Sequence, residues 1–295
     1  MARWLAQQGL ELLSMQPVTG GCIHRAWRLE LRDGSHRFAK TNSAARLPVL
    51  QAEADGLNAL EAATQITQGG GPNPTIPTPL GLSELGDQAV LLLNWLDLGS
   101  GNSQGWQGLG AGLARLHRAS VGSGDGRFGW HEDNFIGSGP QANRWCSSWA
   151  TFFTEQRLAA QLQLAEAAGR PLPRAQTLLD RVPRWLSNHQ PDACLVHGDL
   201  WSGNASLLAG GGSTLFDPAV YRGDREVDLA MAQLFGGFPS AFWRGYQLEW
   251  PLPSGHQQRV ELYNLYHLLN HANLFGGGYW QQSADSIERL LHNWS

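Results

Sequence analysis

His197, Asp199 and Asn204 stand in the order His-x-Asp-x-x-x-x-Asn within Leu195-Val196-His197-Gly198-Asp199-Leu200-Trp201-Ser202-Gly203-Asn204. A carboxylate can take a proton or hold a hard cation, and an amide oxygen can hold such a cation too, so the pair is a candidate for chemistry. Ala205-Ser206-Leu207-Leu208 and Ser213-Thr214-Leu215-Phe216-Asp217 follow, joined by Ala209-Gly210-Gly211-Gly212. With 209–212 as a hairpin loop, Ser206 is expected opposite Leu215, Ala205 opposite Phe216 and Asn204 opposite Asp217. Opposed residues on such a ladder lie about 4.5–5.5 Å apart, so an amide oxygen and a carboxylate would converge on one point. Hard oxygen ligands of this kind suit Mg²⁺, which takes its remaining ligands from water and phosphates. The His-Gly-Asp triplet alone reads as a turn beside a core histidine. The spaced Asn, the hairpin and Asp217 together point to a site. No third His or Cys stands at zinc-ligand spacing.

A phosphate also needs a cation, and here one residue stands out. Lys plus Arg number 21, yet Lys40 is the only lysine. A GC-rich coding bias accounts for the arginines but not for the survivor. Lysine is a compact point charge and arginine a broad planar fork, so a slot that admits only the former is the natural place for a lone lysine. Around it, Trp27, Leu29 and Leu31 alternate with Arg28 and Glu30 as in a strand, Asp33-Gly34 suggests a two-residue turn, and His36 to Thr41 returns. That turn sets Leu31 opposite His36, Leu29 opposite Phe38 and Trp27 opposite Lys40. Lys40 is then expected on an apolar face with Phe38, Leu29 and Trp27, where it requires an anionic partner. Residues 48–63 have helical spacing, with Leu50, Ala54, Leu57 and Leu60 on one face and Glu53 among them. Glu53 is either a solvated edge residue or the partner of Lys40. Ahead of the hairpin, Thr19-Gly20-Gly21-Cys22 is either a plain turn or a loop whose backbone N–H groups approach a phosphate.

These stretches together resemble the fructosamine kinase (ketosamine-3-kinase) family, of the aminoglycoside-phosphotransferase-like group. The resemblance extends through Phe216-Asp217-Pro218-Ala219-Val220-Tyr221-Arg222-Gly223-Asp224-Arg225-Glu226, Phe128-Gly129-Trp130, Gly139-Pro140-Gln141-Ala142-Asn143-Arg144-Trp145 and Asn270-His271-Ala272-Asn273, nearly end to end. It implies an α+β, bilobal protein-kinase-like fold. The N-lobe, a small antiparallel sheet plus helix, would cover 1–94, and a mainly helical C-lobe 95–295; Asn94-Trp95-Leu96, after the apolar strand Ala89 to Leu93, marks the boundary. ATP and Mg²⁺ are the implied cofactors. Lys40 would hold the ATP phosphates, oriented by Glu53, with Gly20 and Gly21 alongside and Phe38 against the adenine. Asp199 would orient or accept the proton of a sugar hydroxyl, Asn204 and Asp217 would bind Mg²⁺, and His197 and Asp228 would support the loop. The substrate would be a ketoamine or a glycated amine or protein, and the family role is repair of glycated amines. Ile23-His24-Arg25 departs from the group, where a small polar residue and Asn are more usual.

Trp201, two residues from Asp199, either stacks on the acceptor or packs. His271, with Asn270, either lines the acceptor pocket or bonds within the core. Cys22, in the presumed phosphate loop, is either a redox-sensitive thiol or an inert small residue. From Leu229 onward four acids meet three arginines, which disfavours a polycationic acceptor. An aminoglycoside- or choline-type kinase of the same fold, and a catalytically silent nucleotide-binding module, are the rival readings.

Composition narrows the remaining classes. Across 295 residues, Asp plus Glu number 25 and the net charge is −4, which argues against nucleic-acid or membrane-surface binding through bulk charge. No run approaches the roughly 18 apolar residues of a membrane span, and the first residues lack the apolar core of a signal peptide. Three cysteines, Cys22, Cys146 and Cys194, with no Cys-x-x-Cys spacing, fit a reducing cytoplasm. Segments 99–112 and 122–126, rich in glycine, are expected as loops, and 108–117 and 151–168 as helices.

Overall fold

The computed structural model describes residues 1–19, 23–67 and 70–294. Gly20, Gly21 and Cys22, the expected phosphate loop and thiol, lie outside the described residues. Helix α1 (Ala2–Gln7) precedes strands β1 (Leu12–Val18), β2 (Arg25–Leu31) and β3 (His36–Ser43); helix α2 (Leu47–Gln65) is followed by β4 (Pro79–Leu85) and β5 (Gln88–Asn94). The five strands form one antiparallel sheet in the order β1-β2-β3-β5-β4. Period-two alternation divides its apolar residues between two faces. Leu29, Ala39, Val90 and Leu92 pack with Leu5 of α1. Leu91 and Leu93 pack against Leu50, Leu57 and Leu60 of α2.

The first hairpin differs from expectation by one residue. Lys40 pairs with Ala26, Phe38 with Arg28 and Trp27 with Ala39. The turn takes three residues, Arg32 to Gly34: Leu31 N–H donates to Ser35 O at 2.9 Å, and Gly34 adopts φ +82°. A single-residue slip exchanges the faces of a strand. Trp27 and Leu29 therefore belong to the α1 side, and Lys40 shares its face with Phe38, Leu91 and Leu93 across β3 and β5.

Beyond β5, the short β6 (Leu98–Gly99) pairs not with this sheet but with the hairpin that follows the His-Gly-Asp loop. Helix α3 (Ser103–Val121) is followed by β7 (Asn134–Ile136) and β8 (Gly139–Gln141). Helix α4 (Trp149–Phe152) runs through a π-helical stretch, Phe153–Ala159, into α5 (Ala160–Ala167). Helix α6 (Ala175–Trp185) leads to β9 (Cys194–Val196), the hairpin β10 (Ala205–Leu208) and β11 (Ser213–Leu215), and β12 (Tyr221–Gly223). Helices α7 (Glu226–Leu234), α8 (Ser240–Glu249), α9 (His256–Phe275) and α10 (Tyr279–Asn293) complete the chain. Among the described residues, no helix is long and apolar enough to cross a membrane.

The expectation of a loop over 99–112 is corrected, because Ser103 onward is helical. Asn102 caps α3 by accepting from Gly105 N–H at 2.9 Å. Its glycines are spent on proximity rather than flexibility: a Cβ at Gly110 would lie 2.0 Å from Phe242 O of α8. The cost of glycine inside a helix, about 1 kcal/mol, is borne where two helix backbones must nearly touch.

Candidate active site

Strand β3 aims Lys40 at α2, and α2 returns Glu53 from its sheet-facing side. Lys40 Nζ donates to Glu53 Oε1 at 2.6 Å and also to Asp217 Oδ1, 177 residues later in the chain. Lys40 is 6% exposed and Glu53 8%, so Glu53 is the buried partner and not a solvated edge residue. Burial alone would pull the Lys40 ammonium down, but Asp217 and Glu53 together outweigh it and hold its pKa above the usual lysine value. The amine is a fixed positive charge, and the Asp217 side chain, 43% exposed, brings the cluster to solvent.

The hairpin carrying Asn204 and Asp217 is also one residue out of the expected register. Ala205 pairs with Leu215 and Ser206 with Thr214, so Asn204 lies opposite Phe216, whose N–H donates to Asn204 O at 3.0 Å. Leu208 N–H closes the turn on Gly212 O, one position tighter than a four-residue loop. The two oxygen-bearing residues still meet because Asp217 leaves the strand at φ +57°, a left-handed conformation that a non-glycine residue holds only when its surroundings impose it.

Asn204 Nδ2 donates to Asp199 O at 2.8 Å and to Asp199 Oδ2 at 3.2 Å. These bonds orient the amide so that its oxygen is the group left for a ligand. Asp199 Oδ1 is shielded from solvent and has no hydrogen-bond partner among the described residues. Burial, and secondarily the Asp217 charge, push the Asp199 carboxyl up to about 7. The Asp217 carboxylate and the oriented Asn204 amide oxygen are both hard oxygen donors, a pair that fits a divalent cation.

The loop is braced from beneath. Asp228 accepts from His197 N–H at 2.7 Å and Gly198 N–H at 2.8 Å, and bonds His117 Nε2 at 3.1 Å. Burial would raise this carboxyl, but the His117 hydrogen bond and the neighbouring imidazoles overcome it and hold its pKa below the usual range. His197 is wholly buried, and desolvation lowers its pKa below the usual imidazole value; its Nε2 bonds Phe216 O at 3.0 Å, tying the loop to the segment that leads into Asp217. Gly198 has φ +82°, and a Cβ there would lie 2.0 Å from Ala219 O. His117, whose Nδ1 bonds Tyr246 Oη at 2.9 Å, was not singled out in the sequence. The available signal was its place four residues after Leu113 on the apolar face of α3. Asp228→Ala is expected to cost at least about 3 kcal/mol of stability, because two buried N–H donors and an imidazole lose their acceptor at about 1–3 kcal/mol each; the urea midpoint measures it.

The other candidate residues are placed as follows. Phe38, half-buried, lies two residues from Lys40 on the same face, its ring 6.3 Å from that of Trp95. Trp201 is 36% exposed beside the loop, and its indole crosses Gly203, where a Cβ would lie 2.3 Å from the ring. Among the described residues, the partners of His271 are not those of the carboxylate cluster: its Nδ1 bonds His267 O at 2.8 Å, and its ring meets Phe235, Phe275 and Tyr279. His24 stands near Lys40 and Asp217. Burial first, then the Lys40 ammonium, bring its pKa to about 4. Asn42 Nδ2, 3.0 Å from His24 Nδ1, places the imidazole proton on Nε2.

A five-stranded antiparallel sheet with α2 across the face that carries Lys40, a buried Lys–Glu pair, and an Asp-x4-Asn loop ending near a second Asp define a kinase of the protein-kinase-like class. A macrolide 2'-phosphotransferase from Brachybacterium faecium shares this fold at a TM-score of 0.58 and 16% identity, over 97% of this chain and 96% of its own. The chain belongs to the fructosamine kinase family, whose model matches residues 2–293. It is 45% identical over 285 residues to a probable ketoamine kinase of Synechocystis, covering 96% of this chain and 92% of the relative. It is 36% identical over 291 residues to the probable ketoamine kinase YniA of Escherichia coli K12, covering 99% and 96%. A Haemophilus somnus crystal structure assigned as a fructosamine-3-kinase superposes with a TM-score of 0.87 at 27% identity, over 99% of this chain and 96% of that one.

Proposed function

We propose that this chain is an ATP- and Mg²⁺-dependent ketoamine 3-kinase acting in the cytoplasm to reverse glycation of amines or proteins. The carrying observation is that Lys40, Glu53 and Asp217 meet in one ion-pair cluster, while Asn204 bridges Asp199 to the Asp217 backbone. The nucleotide would lie between an N-lobe of residues 1–94 and a C-lobe of 95–295, with Phe38 against the base and Lys40 on the α- and β-phosphates. Glu53 holds the ammonium in place. Asn204 and Asp217 would hold Mg²⁺, which supplies charge neutralisation for the transferring phosphoryl group. Asp199 accepts a hydrogen bond from the C3 hydroxyl and takes its proton as that oxygen bonds to the γ-phosphorus and ADP departs. A carboxyl raised to about 7 is suited to receiving that proton near neutral pH. Trp201 offers a flat apolar surface to the sugar or to the carbon chain of the amine, and His271 a wall on the α9 side. A phosphate on C3, beside the C2 carbonyl, would leave by elimination through the C1–C2 enaminol, and water would hydrolyse the resulting imine to free the amine.

Coupled ADP release with Mg²⁺ across a ribulosamine, a fructosamine, an aminoglycoside and choline tests this reading. Turnover on the two ketoamines, at least about tenfold above the others in kcat/KM, is expected. Preference for the aminoglycoside or choline would reassign the acceptor, and binding of ATP without turnover on any of them would overturn the ketoamine assignment.

A further inference from the structure

A chain of buried amides, used by none of the steps above, ends on the backbone two and three residues after Asp217. Tyr266 Oη donates to Gln141 Oε1 at 2.8 Å. That bond fixes which end of the amide is nitrogen, and Gln141 Nε2 donates to Ala219 O at 3.0 Å and to Asn134 Oδ1 at 2.8 Å. Asn134 Nδ2 in turn donates to Val220 O at 2.8 Å. From the other side, Arg157 donates to Asn143 Oδ1 at 2.8 Å, and Asn143 Nδ2 donates to Asn134 Oδ1, also at 2.8 Å. Asn134, Gln141, Asn143 and Arg157 are at most 5% exposed. The π-helical stretch carries Arg157 into the interior, where its guanidinium lies 3.8 Å from the centre of the Tyr221 ring.

Each amide in this relay has a fixed direction; Asn143 and Arg157 also donate to Glu132 O, Ala142 O and Gln156 O, and Gln141 and Asn134 deliver to successive carbonyls, Ala219 and Val220. Ala219 N–H donates to His197 O at 2.8 Å, so this segment is clamped from both sides. Two residues upstream, Asp217 holds its left-handed φ of +57°. A left-handed non-glycine backbone is costly unless its surroundings hold it, and here the side-chain amides of Asn134, Gln141 and Asn143 are all paired, while Arg157 Nε has no partner among the described residues.

We propose that Gln141 is a positioning residue for Asp217: through Ala219 and Asn134 it holds the Asp217 turn in the conformation that binds the metal, with Tyr266 of α9 setting the direction of its amide. This rests on the proposed reading of Asp217 as a metal ligand. Gln141 touches neither nucleotide nor acceptor. Its effect is therefore expected on the metal-dependent part of nucleotide binding, and not on the part that Lys40 and Glu53 supply.

The test is calorimetric titration of ATP, once with EDTA and once with Mg²⁺, on the parent, Gln141→Met and Tyr266→Phe. Methionine keeps the volume and removes the donor. In Gln141→Met, affinity for ATP with Mg²⁺ is expected to fall about 10–100-fold, as when the support of a metal ligand is lost. Affinity with EDTA is expected to stay within about twofold, the spread allowed for a distant site. Tyr266→Phe, which removes the bond that fixes the Gln141 amide, is expected to shift the Mg²⁺ titration the same way by about threefold. An unchanged gain from Mg²⁺ in Gln141→Met overturns the proposal, as does an equal loss with and without the metal. Should Gln141→Met not fold, Tyr266→Phe decides by the same comparison. A parent that gains nothing from Mg²⁺ overturns the assignment of Asp217 itself, which the parent titration separates from failure of the relay.

Discussion

Lys40→Arg is expected to lower kcat by about a hundredfold or more, although the formal charge is unchanged. Removal of one preorganised hydrogen-bond donor from a site where charge develops in the transition state costs about 10²–10³ in rate, and a misplaced ammonium is expected to act on that scale. The ammonium is enclosed between Glu53 and Asp217, with Leu91 beside it on the neighbouring strand. A guanidinium is planar, wider and longer, and its fork matches a carboxylate side-on; it cannot occupy a slot shaped for one nitrogen between two acids. Either the pair with Glu53 breaks or β3 moves away from α2. Steady-state turnover with saturating ATP measures the effect. A Lys40→Arg protein retaining more than about a third of parental kcat would mean that charge alone suffices here, against the shape argument for the lone lysine.

Asp199→Asn is expected to reduce transfer by about 10²–10⁴, the usual contribution of a positioned acid–base group, while ATP affinity stays nearly unchanged. An equal loss of ATP affinity would place Asp199 on the nucleotide instead. The same variant carries a stability prediction of the opposite sign. Asp199 ordinarily titrates at 3.8 and is raised to about 7 by burial and then by Asp217. The folded protein therefore binds more protons than the unfolded chain between about pH 4 and 7, and the charged carboxylate weakens the fold above that window. Asparagine mimics the neutral form at every pH. Metal-free Asp199→Asn is expected to be more stable than the parent at pH 8 by on the order of 2–4 kcal/mol, and the gain should shrink toward pH 4. Urea unfolding at pH 8 and pH 5 checks this; a variant that is less stable at pH 8 would refute the reading of Asp199 as a strained, orphaned acid.

Much of the site was legible in residue types and local spacing. Helical periodicity placed Glu53 on the same side of α2 as Leu50 and Leu57, and the five-residue interval joined Asp199 to Asn204. The register of both hairpins was not legible, and each slipped by one. In the first case Gly34 at φ +82° allowed a three-residue turn where Asp33-Gly34 had suggested two. In the second, Gly211 and Gly212, both at positive φ, tightened a turn expected to hold four. Glycine permits several turn lengths at similar energy, so the choice falls to packing of the flanking strands. The glycines of α3 misled for the opposite reason: their function lies in the approach of α8, which is remote in sequence.

From its residues alone the chain specified the chemistry on offer: one compact ammonium, a spaced Asp–Asn pair with a second Asp, and a carboxylate in phase with a leucine face. Those are properties of side chains and of short-range periodicity. Only the tertiary structure decided that Lys40 and Asp217 share a hydrogen bond across 177 positions, that Asp217 turns left-handed to reach it, and that His117, Gln141 and Tyr266 brace the loops from behind. Such contacts arise from hydrogen-bond satisfaction and close packing among distant segments, and no local pattern encodes which buried amide will find which carbonyl.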